Sequence, residues 1–165
     1  MFTTTPSTES RTEKRLKNLM KANRKYVEVG HFAESGEHYS GFSFPDLMKL
    51  HHNGTDTIPS RPVLEYLKIN FLKVTEHPEV RRLMKQYSKS DMGRDELIRL
   101  LQGVGRVLAE EETEIFGNSP PLDMNSRVTQ ERKGGVNLPL IDTGELIQET
   151  SYRDSITKDR KKVLT

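Results

Sequence analysis

The chain contains neither cysteine nor tryptophan. Without thiols it has no disulfide framework and no thiolate metal site, which removes the cross-linked secreted scaffolds from consideration. No apolar run approaches the roughly 18 residues that span a bilayer. The opening MFTTTPSTES lacks the basic-then-apolar order of a secretion signal, so a soluble chain of cytoplasmic origin without membrane contact is expected. One-sided charge is missing as well: 26 basic and 24 acidic residues leave +2, too even a balance to mark a nucleic-acid binder by itself. Apolar residues are few, 33% against 30% charged in 165 residues. That allows one domain with a modest core, or a chain ordered in part against other subunits.

Chemical signatures are also lacking. No glycine-rich phosphate loop, nucleophile elbow or Cys/His pair occurs, and Gly103-Val104-Gly105 lies within a helical pattern, the wrong setting for a dinucleotide loop. Histidines 31, 38, 51, 52 and 77 match no metal-ligand spacing. No cofactor, no metal and no catalytic residue is expected, and the chain reads as a non-enzyme.

What is present predicts an α+β subunit: a loose N-terminal arm over 1–9, one domain over 10–157, and a basic tail over 158–165. Ser10 to Lys25 has helical spacing, with Leu16, Leu19, Met20 and Asn23 on one face and Arg11, Lys14, Arg15, Lys17, Lys21 and Arg24 on the others. Tyr26 to Phe32 alternates like a strand, and 38–42 is expected to return beside it as a hairpin. Ser43 before Phe44-Pro45-Asp46 is a helix start, and Asn53-Gly54 a stop.

Pro59 and Pro62 stiffen the connector 55–62 and leave Arg61 as an anchor for a carboxylate. A helix over 63–75 is expected to bury Leu64, Leu67, Phe71 and Val74, widened by Ile69 and Leu72. A second opens at Pro78 with Val80, Leu83, Met84 and Tyr87. A third runs from Asp95, with Leu97, Leu100, Leu101, Val104, Leu108, Ile115 and Phe116 buried and Glu110 to Glu112 solvated. Gly103 and Gly105 each weaken that helix by about 1 kcal/mol and permit a close contact or a bend. A late strand over 149–157 alternates Thr150, Tyr152 and Asp154 against Ser151, Arg153 and Ser155.

Between them runs a long excursion, 118–140, with Pro120-Pro121 at one end and a Gly134-Gly135 hinge. It leads to Asp142-Thr143-Gly144. The side-chain oxygens of Asp142 and Thr143 suit a helix start. Leu140-Ile141-Asp142-Thr143-Gly144 also spells the active-site strand of an aspartic protease, which in a short chain requires a homodimer with two Asp sharing a proton. Two features weigh against that spelling: little chain follows Gly144, and Glu145 stands where those enzymes carry a small side chain. A second alternative is a DNA-binding protein using the basic 11–25 helix.

Four words in order resemble the tail-completion (virion-morphogenesis, head-to-tail joining) family of tailed bacteriophages. They are Tyr26 to Gly30, of Val-x-Val-Gly type; His52-Asn53-Gly54 through Thr57-Ile58-Pro59-Ser60-Arg61-Pro62-Val63-Leu64; Asn118-Ser119-Pro120-Pro121; and Pro139-Leu140-Ile141-Asp142-Thr143-Gly144-Glu145-Leu146 leading to Tyr152. Two departures stand out: His52-Asn53-Gly54 replaces an acid-aromatic-Gly tripeptide, and Val63 replaces an aromatic.

The resemblance implies a short antiparallel sheet against several helices, with extended terminal arms and a long loop, in a subunit that forms a ring at the virion neck. Implied partners are copies of itself, about six or twelve in a cyclic ring, connector or adaptor proteins on the head side, tail terminator or tail tube proteins on the other, and DNA passing through the lumen. Arg127, Arg132, Lys133 and Tyr152 are the candidate interface residues.

Overall fold

The computed structural model describes residues 9–164, without the side chains of 69–71. Its organising element is α5, Arg94–Ile115, a helix of 22 residues and hence about 33 Å long. One side of α5 carries a three-stranded antiparallel sheet, β1 (Val27–Gly30), β2 (Ser151–Asp154) and β3 (Lys161–Lys162), in the order β1-β2-β3. Helices α3 (Val63–Glu76) and α4 (Pro78–Lys89) also pack on α5. The remaining helices are α1 (Arg11–Ala22), α2 (Phe44–Asn53), α6 (Arg127–Arg132) and α7 (Glu145–Gln148), with a 3-10 turn at Ala33–Ser35.

The helix starts are local chemistry. Ser10 caps α1 in a reciprocal box with Glu13, and Ser43 caps α2 with Pro45 in the first turn. Gly54 ends α2 at φ 71, and its amide returns to the Leu50 carbonyl at 2.9 Å. A side chain at Gly54 would sit 2.7 Å from the Ser60 amide nitrogen, so the loop closes this tightly only around glycine.

The sheet differs from the expected hairpin. β1 pairs with β2, Val27 opposite Asp154 and Gly30 opposite Ser151, while 38–42 supplies no strand and leaves only an isolated bridge between Glu37 and Ser43. The late strand buries Tyr152 against α5, whereas Tyr39 and Phe42 of the 38–42 segment stay exposed. Across the pair, Arg153 donates to Glu28 at 2.6 Å and stacks 4.3 Å over the Phe32 ring, a cross-strand match that fixes register. Asp154 ends the strand. Burial alone would raise its carboxyl, but donors from Gln102, Thr157 and Ile156 hold it down at about 2. The expected basic tail, 158–165, supplies β3, whose Lys162 pairs with Glu149.

The core draws Phe44, Leu47 and Met48 from α2, Val63, Leu67 and Val74 from α3, Val80 from α4, and Val107, Leu108, Ile115 and Phe116 from the α5 region. Several expected core residues are outside it. Leu64 is 43% exposed, Leu72 75% and Met84 49%. The α3 stripe is therefore narrower than its sequence, because α5 covers only one side; Ile69 and Phe71 fall outside the described side chains. Glu112, expected in solvent, is fully buried on the sheet-facing side of α5. The expected N-terminal arm falls, but for Glu9, outside the described residues.

The 118–140 excursion folds back on the body. Its Leu122 is buried, Asn125 donates its amide to the Asn137 side chain at 2.9 Å, and the Gly117 amide bonds the Pro139 carbonyl at 2.8 Å. The peptide bonds before Pro120 and Pro121 are both cis.

The two α5 glycines bear different loads. A Cβ on Gly105 would lie 2.6 Å from Val27 Cγ2 and 2.8 Å from the Tyr152 ring, whereas one on Gly103 would meet the end of the flexible Leu83 side chain. Gly105→Ala is expected to destabilise the protein by about 2 kcal/mol despite its gain in helix propensity, and Gly103→Ala by less than about 1. Paired urea denaturation curves check the difference.

Candidate functional site

The connector after α2 is strapped to that helix. The Arg61 amide donates to the His51 carbonyl at 2.7 Å, Ser60 Oγ to the His52 carbonyl at 2.6 Å, and Thr55 Oγ1 accepts from the amides of Thr57 and Ile58. With both prolines limiting rotation, the strap turns Arg61 inward, where only 6% of it is exposed. Its Nε donates to the Asp123 carbonyl at 3.2 Å and its Nη2 to Asn125 Oδ1 at 3.0 Å. The expected carboxylate anchor thus holds a carbonyl and an amide of this chain, and among the described residues it forms no ion pair.

Facing this strap is the segment 138–146. Leu140 takes φ 64, an uncommon left-handed conformation for a leucine, and is buried. Asp142 and Thr143 then lead into α7, which Gly144 opens at φ 86; the Asp-Thr-Gly word is a helix entry, with the Glu145 amide 3.4 Å from Thr143 Oγ1. Asp142 accepts from Tyr39 Oη at 2.5 Å and lies 3.7 Å from Lys133 Nζ. The Tyr39 hydroxyl, aided by the charges of Lys133 and Arg132, holds the Asp142 carboxyl below its ordinary range against a small burial cost. Lys133 also donates to the Ile141 carbonyl, which ties the end of α6 to this turn.

Strap and turn enclose a half-open cleft of about 320 Å³ with His38, His51, Asn125 and Arg132 in its walls. His51 is driven down to about 4, by burial first and then by the charges of Arg61, His38 and Lys133, so it is neutral at physiological pH. His38 Nε2 stands 3.8 Å from Glu145.

The residues singled out from sequence distribute unevenly. Ile58, Pro59, Arg61, Asp142, Thr143 and Gly144 line the cleft, with Arg132 and Lys133. Asn53 and Gly54 end α2 behind it, and Pro62 leads into α3. Asn118, Ser119 and Pro120 are exposed and do not line it, and the Asn118 side chain caps the Glu114 carbonyl. Arg127 is exposed and paired with Glu131. Tyr152, a candidate interface residue, is buried under Gly105 and presents no surface in this subunit. Of the basic helix, Arg11 and Lys14 bond Asp91, Arg15 bonds the Ser88 carbonyl and Lys17 pairs with Glu9. Its apolar face, Leu16, Leu19 and Met20, is uncovered.

Sequence reasoning missed a second cavity, about 270 Å³, lined by Val29, Gly30, Met48, Leu64, His31 and Glu112 among others. Gly30 closes β1 against the Glu112 carboxyl. Both Glu112 oxygens lack a hydrogen-bond partner, and burial raises the group to about 7. His31 Nδ1 lies 3.8 Å away, but burial lowers His31 too, and its Nε2 bonds the Leu146 carbonyl at 2.7 Å. Burial disfavours the charged form of both groups, so the contact does not act as a simple ion pair. The only cue in the sequence was a glutamate in the helical register of Leu108 and Ile115.

The chain matches no family model, no characterised protein and no solved structure. No described helix is long and apolar enough to cross a membrane, and no group of three metal-ligating side chains occurs among the described residues.

Glu112 sets a pH dependence whose sign follows from its shift. Unfolded, it ionises near 4.5; folded, near 7. Between these values the native state holds a proton that the unfolded chain has released, so the stability this group contributes is complete below 4.5 and is lost as pH rises through 7. Glu112→Gln is expected to flatten that slope, gaining about 2–3 kcal/mol on the wild type between pH 4.5 and 7.5. Denaturation midpoints across that range measure it.

Proposed function

We propose that this chain is a non-enzymatic structural subunit of a tailed-bacteriophage virion, forming a ring at the neck that joins the capsid connector to the tail. One observation carries the reading: two of the four resembling words, far apart in sequence, meet at one place. Ile58, Pro59 and Arg61 line the cleft with Asp142, Thr143 and Gly144, and Gly117, just before the Asn118 word, bonds the Pro139 carbonyl that opens the last word. A pattern whose parts meet in space acts as one structural unit, which unrelated matches would not.

Surface chemistry supports it. Leu16 at 58% exposure, Met20 at 70% and Leu72 at 75% are apolar groups that a solitary subunit leaves in water and a neighbour would cover. A closed ring presents two different faces at each joint, and many modest contacts repeated by symmetry give a strong assembly. On this reading the flanking partners are connector or adaptor proteins and tail terminator or tube proteins, with DNA in the lumen. The geometry of Asp142, bonded to Tyr39 and beside Lys133, belongs to a turn that is braced in its ionised form.

Native mass spectrometry and electron microscopy of the full chain should show closed rings of one copy number. Met20→Glu, on the free face of α1, is expected to weaken assembly about tenfold or more per joint while leaving the far-ultraviolet circular dichroism unchanged. A chain that stays monomeric at every concentration and with head or tail extracts present would overturn the reading.

A further inference from the structure

Arg61 is a guanidinium with 6% exposure and no ion pair among the described residues. Beside it Asn125, 7% exposed, points its Oδ1 at the Arg61 Nη2, which fixes the amide orientation, because the reverse would set two donors against each other. That leaves Asn125 Nδ2 as a buried donor with no acceptor. Both residues line the cleft, together with Lys133 and the exposed Arg132. Of the acids of the same cleft, Asp142 is engaged by Tyr39 and Lys133, and the half-exposed Glu145 lies 3.8 Å from His38 Nε2. Asp123 contributes its backbone carbonyl to Arg61, and the charge of its exposed carboxylate acts on the guanidinium without pairing with it.

We infer that the cleft is an anion site that takes a carboxylate, bound by the free edge of the Arg61 guanidinium and by Asn125 Nδ2, with the exposed Arg132 in its wall. The donor set decides the class. A planar guanidinium beside an amide N–H₂ matches two oxygens of a carboxylate, and a buried cation without a directly paired counter-ion is costly until an anion reaches it. Two sources offer that chemistry, a free small carboxylate or the side chain of an acidic residue on a second copy of the chain. The site does not depend on the neck reading.

The test is thermal unfolding of the full chain with sodium acetate, and with sodium chloride at matched ionic strength. Acetate should raise the midpoint by about 3–5 °C beyond chloride at saturation. Asn125→Asp places a carboxylate beside Arg61 while keeping the backbone bonds of residue 125. It should raise the midpoint without added anion and remove at least four-fifths of the acetate response. Arg61→Lys, which keeps the charge and loses the planar fork, should lose most of the response as well.

Equal effects of acetate and chloride, or an Asn125→Asp variant that is less stable and still responds, would overturn the site. Sedimentation in the same acetate series separates the sources. Dissociation of assembled copies as acetate saturates assigns the carboxylate to a neighbouring copy, and unchanged assembly with a full thermal response assigns it to a free molecule.

Discussion

The approach of α5 to the sheet at Gly105 is the contact on which the rest of the fold depends. The two strands it meets come from opposite ends of the described chain, Val27 pairing with Asp154, and nothing local holds them together. Only where α5 lacks a side chain can Val27 and the Tyr152 ring both reach its backbone. Joining strands so far apart costs loop-closure entropy, which grows slowly with length and is offset by burying Tyr152, Val107 and Leu108 at about 1.5–3 kcal/mol each. Everything between β1 and β2, α5 included, is then a closed loop, and the cleft is formed where two parts of that loop, the strap after α2 and the turn before α7, come face to face.

This arrangement explains why the strap and the turn are irregular. Regular structure satisfies backbone groups automatically, whereas a loop pressed against another loop must find partners one by one. Ser60, Thr55 and the Arg61 amide do this on one side, and Lys133, by donating to the Ile141 carbonyl, does it on the other. The left-handed Leu140 belongs to the same account: burial of its side chain offsets the backbone cost of about 1–2 kcal/mol.

Much of the helical framework was legible because its signals are local. Ser10, Ser43, Gly54 and Pro78 mark ends that the structure respects within a residue or two, and the apolar periodicity of 63–76 and 94–115 placed both helices. Strand pairing was misjudged for the opposite reason. The segment 38–42 is the nearest partner for 26–32 in sequence, but the strand that buries its aromatic on α5 is the one carrying Tyr152, and sequence distance carries no information about that. Glu112 was misassigned because the acidic run 110–112 reads as wet, although one of three consecutive helical positions must turn inward. The cleft was half legible: Arg61 and Asp142 stood out by their motifs, whereas Asn125, the residue that completes the donor set, sits in a polar stretch with no periodicity to single it out.

Of the buried ionisable side chains, Glu112 has no hydrogen-bond partner, and Arg61 forms no ion pair among the described residues. Glu112 meets the matter by taking a proton, which costs stability only above the pH where the unfolded chain would ionise. Arg61 cannot do the same, since a guanidinium keeps its charge throughout the accessible range. Its direct partners inside the chain are a carbonyl and an amide oxygen, which supply partial negative charge, and the charge of the exposed Asp123 carboxylate acts on it without pairing. A fold shaped only for its own stability would relax this arrangement with a neutral side chain at position 61, because well-packed apolar replacements for buried charges are commonly neutral or stabilising. A cleft that keeps the cation, orients an amide donor beside it and ties Asp142 to other partners is complementary to a group the subunit does not itself supply.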